Sequence, residues 1–138
     1  MKRLMVAALI AAGVLAGCAS APAQPTQTQA QTQAKYVNIT AEDLYKRVKA
    51  GEKPLIVDVR TQEEWQAGHI DIAKLIPLQS LPDGAKALDK NQEIVLICRS
   101  GNRSAQAAEL LAAAGFTKLV NVTGGMQSWE KLGAPMVK

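Results

Sequence analysis

Hydrophobic patterning divides the chain into three stretches. The first is an unbroken apolar run from Leu4 to Leu15. It falls short of the roughly 20 residues that cross a bilayer and has the length of the apolar core of a secretory signal. The second, residues 19–35, reads A-S-A-P-A-Q-P-T-Q-T-Q-A-Q-T-Q-A-K and offers nothing to bury. It is expected to be a disordered tether, reaching on the order of 20–25 Å as a flexible chain. The third begins at Tyr36, where the spacing of apolar residues takes on the periods of folded structure. Tyr36–Ile39 reads as a short strand. Thr40 then caps a helix with Glu42 and Asp43 in its first turn and Leu44, Tyr45 and Val48 as its apolar stripe, ended by Gly51. Leu55–Val59 and Ile94–Ile97 are continuous, β-branched apolar runs and predict buried strands. Between them, Thr61-Gln62-Glu63-Glu64 forms a capping box that opens a short helix closed near Gly68. Lys74–Leu78 predicts a short strand, Pro82-Asp83-Gly84 a turn, and residues 85–88 a short helix. An alanine-rich helix over 104–114 stops at Gly115, followed by a strand at Leu119–Val122, a Gly124-Gly125 turn and a last helix over Met126–Lys131.

Strands alternating with helices predict an α/β fold, an open and mainly parallel sheet with helices on both faces. In such sheets ligands bind beyond the carboxyl ends of the strands. Cys98 directly follows the Ile94–Ile97 run, so the pattern alone puts a thiol at that end.

Composition narrows the chemistry. Aromatic residues make up 4% of the chain, so the core must be aliphatic and alanine-rich. Setting aside Lys2 and Arg3 in the leader lowers the 16 basic residues to 14 against 12 acidic, too even a balance for a nucleic-acid binder. Two cysteines and one histidine, with no CxxC, exclude a disulfide scaffold and a multi-histidine metal centre, and no cofactor is expected.

Lys2 and Arg3 precede the apolar run, which ends in L-A-G-C, Leu15 to Cys18. This resembles the lipobox of bacterial lipoproteins. The resemblance implies a signal peptide over 1–17, diacylglycerol on the Cys18 sulfur, and a lipid anchor in the cell envelope on the periplasmic side. Ala19 in place of aspartate implies the outer membrane if the host is Gram-negative. The alternative is cleavage after Ala19-Ser20-Ala21, which would release a soluble periplasmic protein. On the lipoprotein reading residues 18–35 form the lipidated cysteine and linker, and on either reading 36–138 is the globular domain.

The segment I-C-R-S-G-N-R-S spans Ile97 to Ser104. It is a polar turn between a buried strand and a helix N-terminus. Backbone amides of Arg99, Ser100, Gly101, Asn102, Arg103 and Ser104 can converge there into an anion nest centred on the Cys98 sulfur. Such surroundings favour thiolate over thiol, so no histidine base is needed. Arg99 and Arg103 add positive charge suited to steering an anionic donor.

The chain from about Tyr36 to Met136 resembles a single-domain rhodanese, a thiosulfate sulfurtransferase-like protein. The matching pieces are D-V-R-T-Q-E-E-W-Q-A-G-H-I (58–70), C-R-S-G-N-R-S (98–104) and N-V-T-G-G-M-Q-S-W (121–129). The resemblance implies a sheet of about five strands. It also implies that Cys98 takes a sulfane sulfur from a small anion such as thiosulfate, becomes a persulfide, and passes that sulfur to cyanide or a thiol. Asp58 and Arg60 become supports that hold neighbouring loops, His69 a structural turn residue, and Gly124 and Gly125 sites of close backbone approach. Related dual-specificity phosphatases and arsenate reductases carry one more loop residue, with arginine six positions after the cysteine. Here that position is Ser104, and a tighter ring suits one sulfur atom better than a tetrahedral oxyanion. A non-catalytic docking module of the same fold is the other alternative. With Cys18 lipidated, Cys98 has no resolving partner, which argues against a dithiol oxidoreductase. A small single domain of this kind is expected to be a monomer.

Overall fold

The computed structural model describes residues 35–138. The expected signal peptide, Cys18 and the linker up to residue 34 lie outside the described residues. The elements in chain order are β1 (Val37–Thr40), α1 (Ala41–Lys49), β2 (Leu55–Asp58), α2 (Gln62–Ala67), β3 (Ala73–Leu75), β4 (Ile94–Ile97), α3 (Asn102–Ala113), β5 (Leu119–Thr123) and α4 (Gly125–Lys131). Single turns of 3-10 helix occupy Leu78–Ser80 and Asp83–Ala85.

The five strands form one sheet in the order β1-β5-β4-β2-β3, every pair parallel. The open, parallel α/β sheet expected from the alternation is therefore the architecture observed. Connections leave β2 toward one edge and β4 toward the other, so a crevice opens beyond the carboxyl ends of these two neighbours. Strand alternation sorts the core into two layers. Ile56, Val95, Ile97, Val120 and Val122 pack with Leu44, Met126 and Trp129 of α1 and α4. Val57, Ile94, Leu96 and Cys98 pack with Ala107, Ala108 and Leu111 of α3 on the other face. The small alanines let α3 lie close to the sheet, and this brings its first turn over Cys98.

Both capping boxes form. Thr40 accepts from the Asp43 amide while Asp43 accepts from the Thr40 amide, and Thr61 and Glu64 do the same for α2. Three boundaries differ from expectation by more than one residue. The strand expected over Lys74–Leu78 ends at Leu75. Ile76 and Leu78 still donate to Asp58 O and Val59 O, but the regular register is lost there and the chain folds into a 3-10 turn at Leu78. The helix expected over 85–88 is replaced by 3-10 turns, with Lys86 N–H donating to Asp83 O and Leu88 N–H to Ala85 O. Ala85-Lys86-Ala87-Leu88 are good helix formers, but four residues are too few to sustain an α-helix, and Gly84 and Pro82 disfavour its extension backward. The helix expected from 104 begins two residues earlier, because Gly101 adopts a left-handed conformation (φ 103°) and its carbonyl already accepts from the Ala105 amide.

Candidate active site

Cys98 is the first residue beyond β4, and its side chain falls by alternation on the α3 face. It is only 1% exposed. Burial alone pushes a thiol up, away from ionisation. Here it is opposed by the Ser104 hydroxyl and by the amides of Ser104, Gly101 and Ser100, and the balance holds Cys98 below the ordinary thiol range. The Gly101 amide donates to the sulfur at 3.0 Å, and Ser104 Oγ lies 3.4 Å from it.

The amides of Ser100 and Gly101 face the sulfur because carbonyls along the start of the loop are occupied elsewhere. Cys98 O accepts from the Met126 amide (2.8 Å), Arg99 O from Gln127 (3.0 Å) and Ser100 O from Gly124 (3.1 Å). Each bond draws a carbonyl outward and leaves the opposite side of the loop lined with N–H dipoles. The arrangement requires α4 to begin almost in contact with the loop. At Gly125 (φ 50°) an added Cβ would overlap Cys98 O and come within 2.7 Å of the Arg99 carbonyl. The close approach expected of Gly124 and Gly125 is thus located: Gly124 donates to Ser100 O, and Gly125 packs on the Cys98 and Arg99 carbonyls.

The arginines are used differently. Arg103 does not reach the sulfur with a hydrogen bond. Its guanidinium forms a bidentate pair with Glu64, at 2.8 Å on both oxygens. That pairing is the main reason Glu64 is held down to about 2; burial opposes it, and the Thr61 amide adds to it. Arg99 is exposed and forms no ion pair among the described residues. With Arg60, Glu64, Met126, Gln127 and Lys131 it lines a cavity of about 600 Å³ beside the loop. Arg60, itself buried, grips the buried Asp58 carboxylate through Nε and Nη2 (2.7–3.0 Å) and donates to Gly68 O at 2.8 Å. The pair thereby ties the end of β2 to the turn after α2. His69 is stacked on Trp65 (centroids 3.6 Å apart), places Nδ1 2.9 Å from Trp65 O, and exchanges both backbone hydrogen bonds with Val137. All of its contacts are those of a turn residue. Asn102 opens α3 with its side chain exposed.

Sequence reasoning missed two residues. Glu64 reads as a helix cap, and its partner lies 39 positions away. Asn121 lies in the expected strand with no role assigned to it, yet it is 4% exposed and its Oδ1 is 2.6 Å from Ser104 Oγ. The only available signal was an amide side chain inside a run of buried valines.

Residues 40–132 match the Rhodanese-like domain family. The chain is 35% identical over 99 residues to a sulfurtransferase of Allochromatium vinosum, covering 72% of this chain and 92% of the relative. It is 41% identical over 92 residues to a putative sulfurtransferase of Bacillus subtilis, covering 67% and 88%. Among solved structures, a rhodanese-like domain protein from Staphylococcus aureus superposes with a TM-score of 0.63 at 41% identity, covering 67% of this chain and 90% of that one. A rhodanese-related protein from Thermoplasma volcanium gives a TM-score of 0.66 at 39% identity, covering 74% and 98%. A five-stranded parallel sheet, a cysteine loop wrapped on the start of α4, and likeness along nearly the full length of these relatives lead to one assignment: the chain belongs to the rhodanese-like domain family.

Proposed function

We propose that the protein is a sulfurtransferase that carries a sulfane sulfur as a persulfide on Cys98. The Cys98 thiolate attacks the outer sulfur of a donor such as thiosulfate. A Cys98 Sγ–S bond forms as the donor's S–S bond breaks, and sulfite leaves with the electron pair. Cyanide or a thiolate then attacks the terminal sulfur. It departs as thiocyanate or as the acceptor's persulfide, and the Cys98 thiolate is restored. The observation that carries this reading is the Gly101 amide donating at 3.0 Å to a sulfur that is 1% exposed yet held below the ordinary thiol range. Amide dipoles at that distance stabilise both the thiolate and the anionic persulfide. The short spacing from Cys98 to Arg103 favours one added sulfur over a tetrahedral oxyanion, hence sulfur transfer over phosphatase or arsenate reductase chemistry.

The test compares wild type with Cys98→Ala in thiosulfate:cyanide and aryl-phosphate assays run side by side. Wild type is expected to form thiocyanate, to hydrolyse no aryl phosphate, and to show one added sulfur on the Cys98 peptide after thiosulfate, removable by cyanide. Cys98→Ala is expected to lose transfer while keeping its circular dichroism spectrum. Turnover retained in that variant, or phosphate release by wild type, would overturn the reading. We further propose export and lipid anchoring through Cys18, for which the Leu15–Cys18 sequence is the support. Labelled palmitate should enter the wild-type chain and not Cys18→Ala.

A further inference from the structure

A chain of polar side chains runs from the sulfur to the sheet edge. Ser104 Oγ lies 3.4 Å from Cys98 Sγ, 3.1 Å from Gly101 O and 2.6 Å from Asn121 Oδ1, and Asn121 Nδ2 donates to Asn38 Oδ1 at 2.9 Å. Parallel register explains the line. Asn121 of β5 stands beside Leu96 of β4 and opposite Asn38 of β1, on the face that carries Cys98 and receives the first turn of α3. Ser104 is completely buried and Asn121 nearly so, whereas Asn38 is exposed.

Counting protons exposes a conflict. The Ser104 hydroxyl has one proton and three acceptors around it. With Asn121 Oδ1 turned toward Ser104, the 2.6 Å contact takes that proton, and the sulfur receives none. With the Asn121 amide turned over, Nδ2 donates to Ser104 Oγ and the hydroxyl proton is left to Gly101 O and the sulfur, of which an anionic sulfur is the stronger acceptor. Oδ1 then faces Asn38, whose exposed amide turns in step to donate to it. Both arrangements use the same heavy-atom positions, because amide oxygen and nitrogen are nearly equal in size. They differ in which charge state of the sulfur they suit. A neutral thiol donates to Ser104 Oγ, and Ser104 passes its own proton toward Asn121. An anionic sulfur needs the Ser104 proton and therefore the reversed amide.

We propose that Asn121 is a positioning residue whose side-chain amide turns over with the charge on Cys98, releasing the Ser104 proton to the anionic sulfur and taking it back from the neutral thiol. Asn38, free to turn at the surface, completes the relay. A side chain with both a donor and an acceptor is needed at 121, so neither Asp nor Leu can substitute. The charged groups around the loop are Arg99 within it, Arg103 on α3, Glu64 on α2, Asp58 and Arg60 at the end of β2, and Glu130 and Lys131 on α4. None of them hydrogen-bonds to Ser104 or Asn121 among the described residues.

The inference rests on Cys98 being the reacting sulfur, and its test reads titration without turnover. Iodoacetamide alkylation of the full chain is followed across pH at the Cys98 peptide by mass spectrometry, so Cys18 does not contribute. Asn121→Leu is expected to raise the alkylation midpoint by about half a pH unit, the worth of one lost supporting hydrogen bond. Asn121→Asp is expected to raise it by about one unit, since a carboxylate holds the Ser104 proton and adds like charge. In a Ser104→Ala background both displacements should shrink to less than half. Equal displacements in the two backgrounds, or none in either, would overturn the relay. For the unmutated chain, the Asn121 and Asn38 side-chain amide resonances should follow the Cys98 titration with the same midpoint; resonances that ignore it would overturn the relay even if every variant failed to fold. Loss of thiocyanate formation with the titration intact would count against the proposed function alone.

Discussion

Gly125→Ala tests the contact that aims the loop. In the native backbone Gly125 has φ 50°, and an added Cβ would overlap Cys98 O and lie 2.7 Å from Arg99 C and O. Neither neighbour is a flexible side-chain tip, so α4 must move away from the loop. The left-handed conformation itself costs about 1 kcal/mol for a residue with a Cβ. Moving α4 weakens the Met126 and Gln127 amide bonds to Cys98 O and Arg99 O, at about 1 kcal/mol each. The expected destabilisation is therefore about 3 kcal/mol, within what a domain of ordinary stability survives. Freed of their outward bonds, the carbonyls of 98 and 99 can rotate inward and the amides outward. The Cys98 alkylation midpoint should then rise toward that of an ordinary thiol. Urea denaturation measures the first effect and pH-dependent alkylation the second. Gly51→Ala is the control: its φ is 87°, nothing lies within 4 Å of the added Cβ, and it should cost about 1 kcal/mol without touching the titration. If Gly125→Ala matches this control in both measurements, contact with α4 is not what orients the loop.

Glu64 is held at about 2 against an ordinary 4.5, so its contribution to stability is complete above about pH 4.5 and disappears as pH falls toward 2. Glu64→Gln should cost about 1–2 kcal/mol at pH 7, and urea titrations should show wild type and variant converging near pH 2; a gap independent of pH would refute the pairing with Arg103. Asp58 is fully buried against Arg60, so Asp58→Asn, which leaves the guanidinium without its counter-charge, should cost about 3 kcal/mol or more. Hydrogen exchange should report the turn at Gly68 loosening with it, and a loss under 1 kcal/mol in urea would show that Arg60 finds compensation elsewhere.

What was legible in the sequence was local. The Thr61–Glu64 capping box and the apolar run of β4 are read from neighbours within four residues, and both form as expected. The same locality put Cys98 at a strand end and a polar turn after it. What escaped was set by distance along the chain or by a single backbone angle. The two-residue error at the start of α3 comes from the left-handed Gly101, which moves the helix entry without changing any side-chain pattern. Asn121 meets Ser104 only because β4 and β5 pair in the register that sets Leu96 beside Asn121. Nothing within the run Leu119–Thr123 signals that partner. The partner of Arg103 is hidden the same way: its charge suggests a free cation beside the sulfur, and only the packing of α2 near the loop shows Glu64 taking both of its nitrogens.

That last contact bears on reactivity. Arg60 is committed to Asp58 and Gly68, and Arg103 to Glu64, so the hydrogen bonds that hold charge on Cys98 come from neutral dipoles. A guanidinium bonded to the sulfur would lower its ionisation further, but nucleophilicity falls along with a thiol's pKa, and the best attacking thiol ionises near ambient pH. Burial to 1% exposure opposes ionisation, and the amides and the Ser104 hydroxyl override it. The balance lowers the thiol's pKa without a guanidinium bonded to the sulfur. The carboxylates of Asp58 and Glu64 thus serve the sulfur from a distance: by occupying the two guanidinium groups, they leave its hydrogen bonds to the loop amides and the Ser104 hydroxyl.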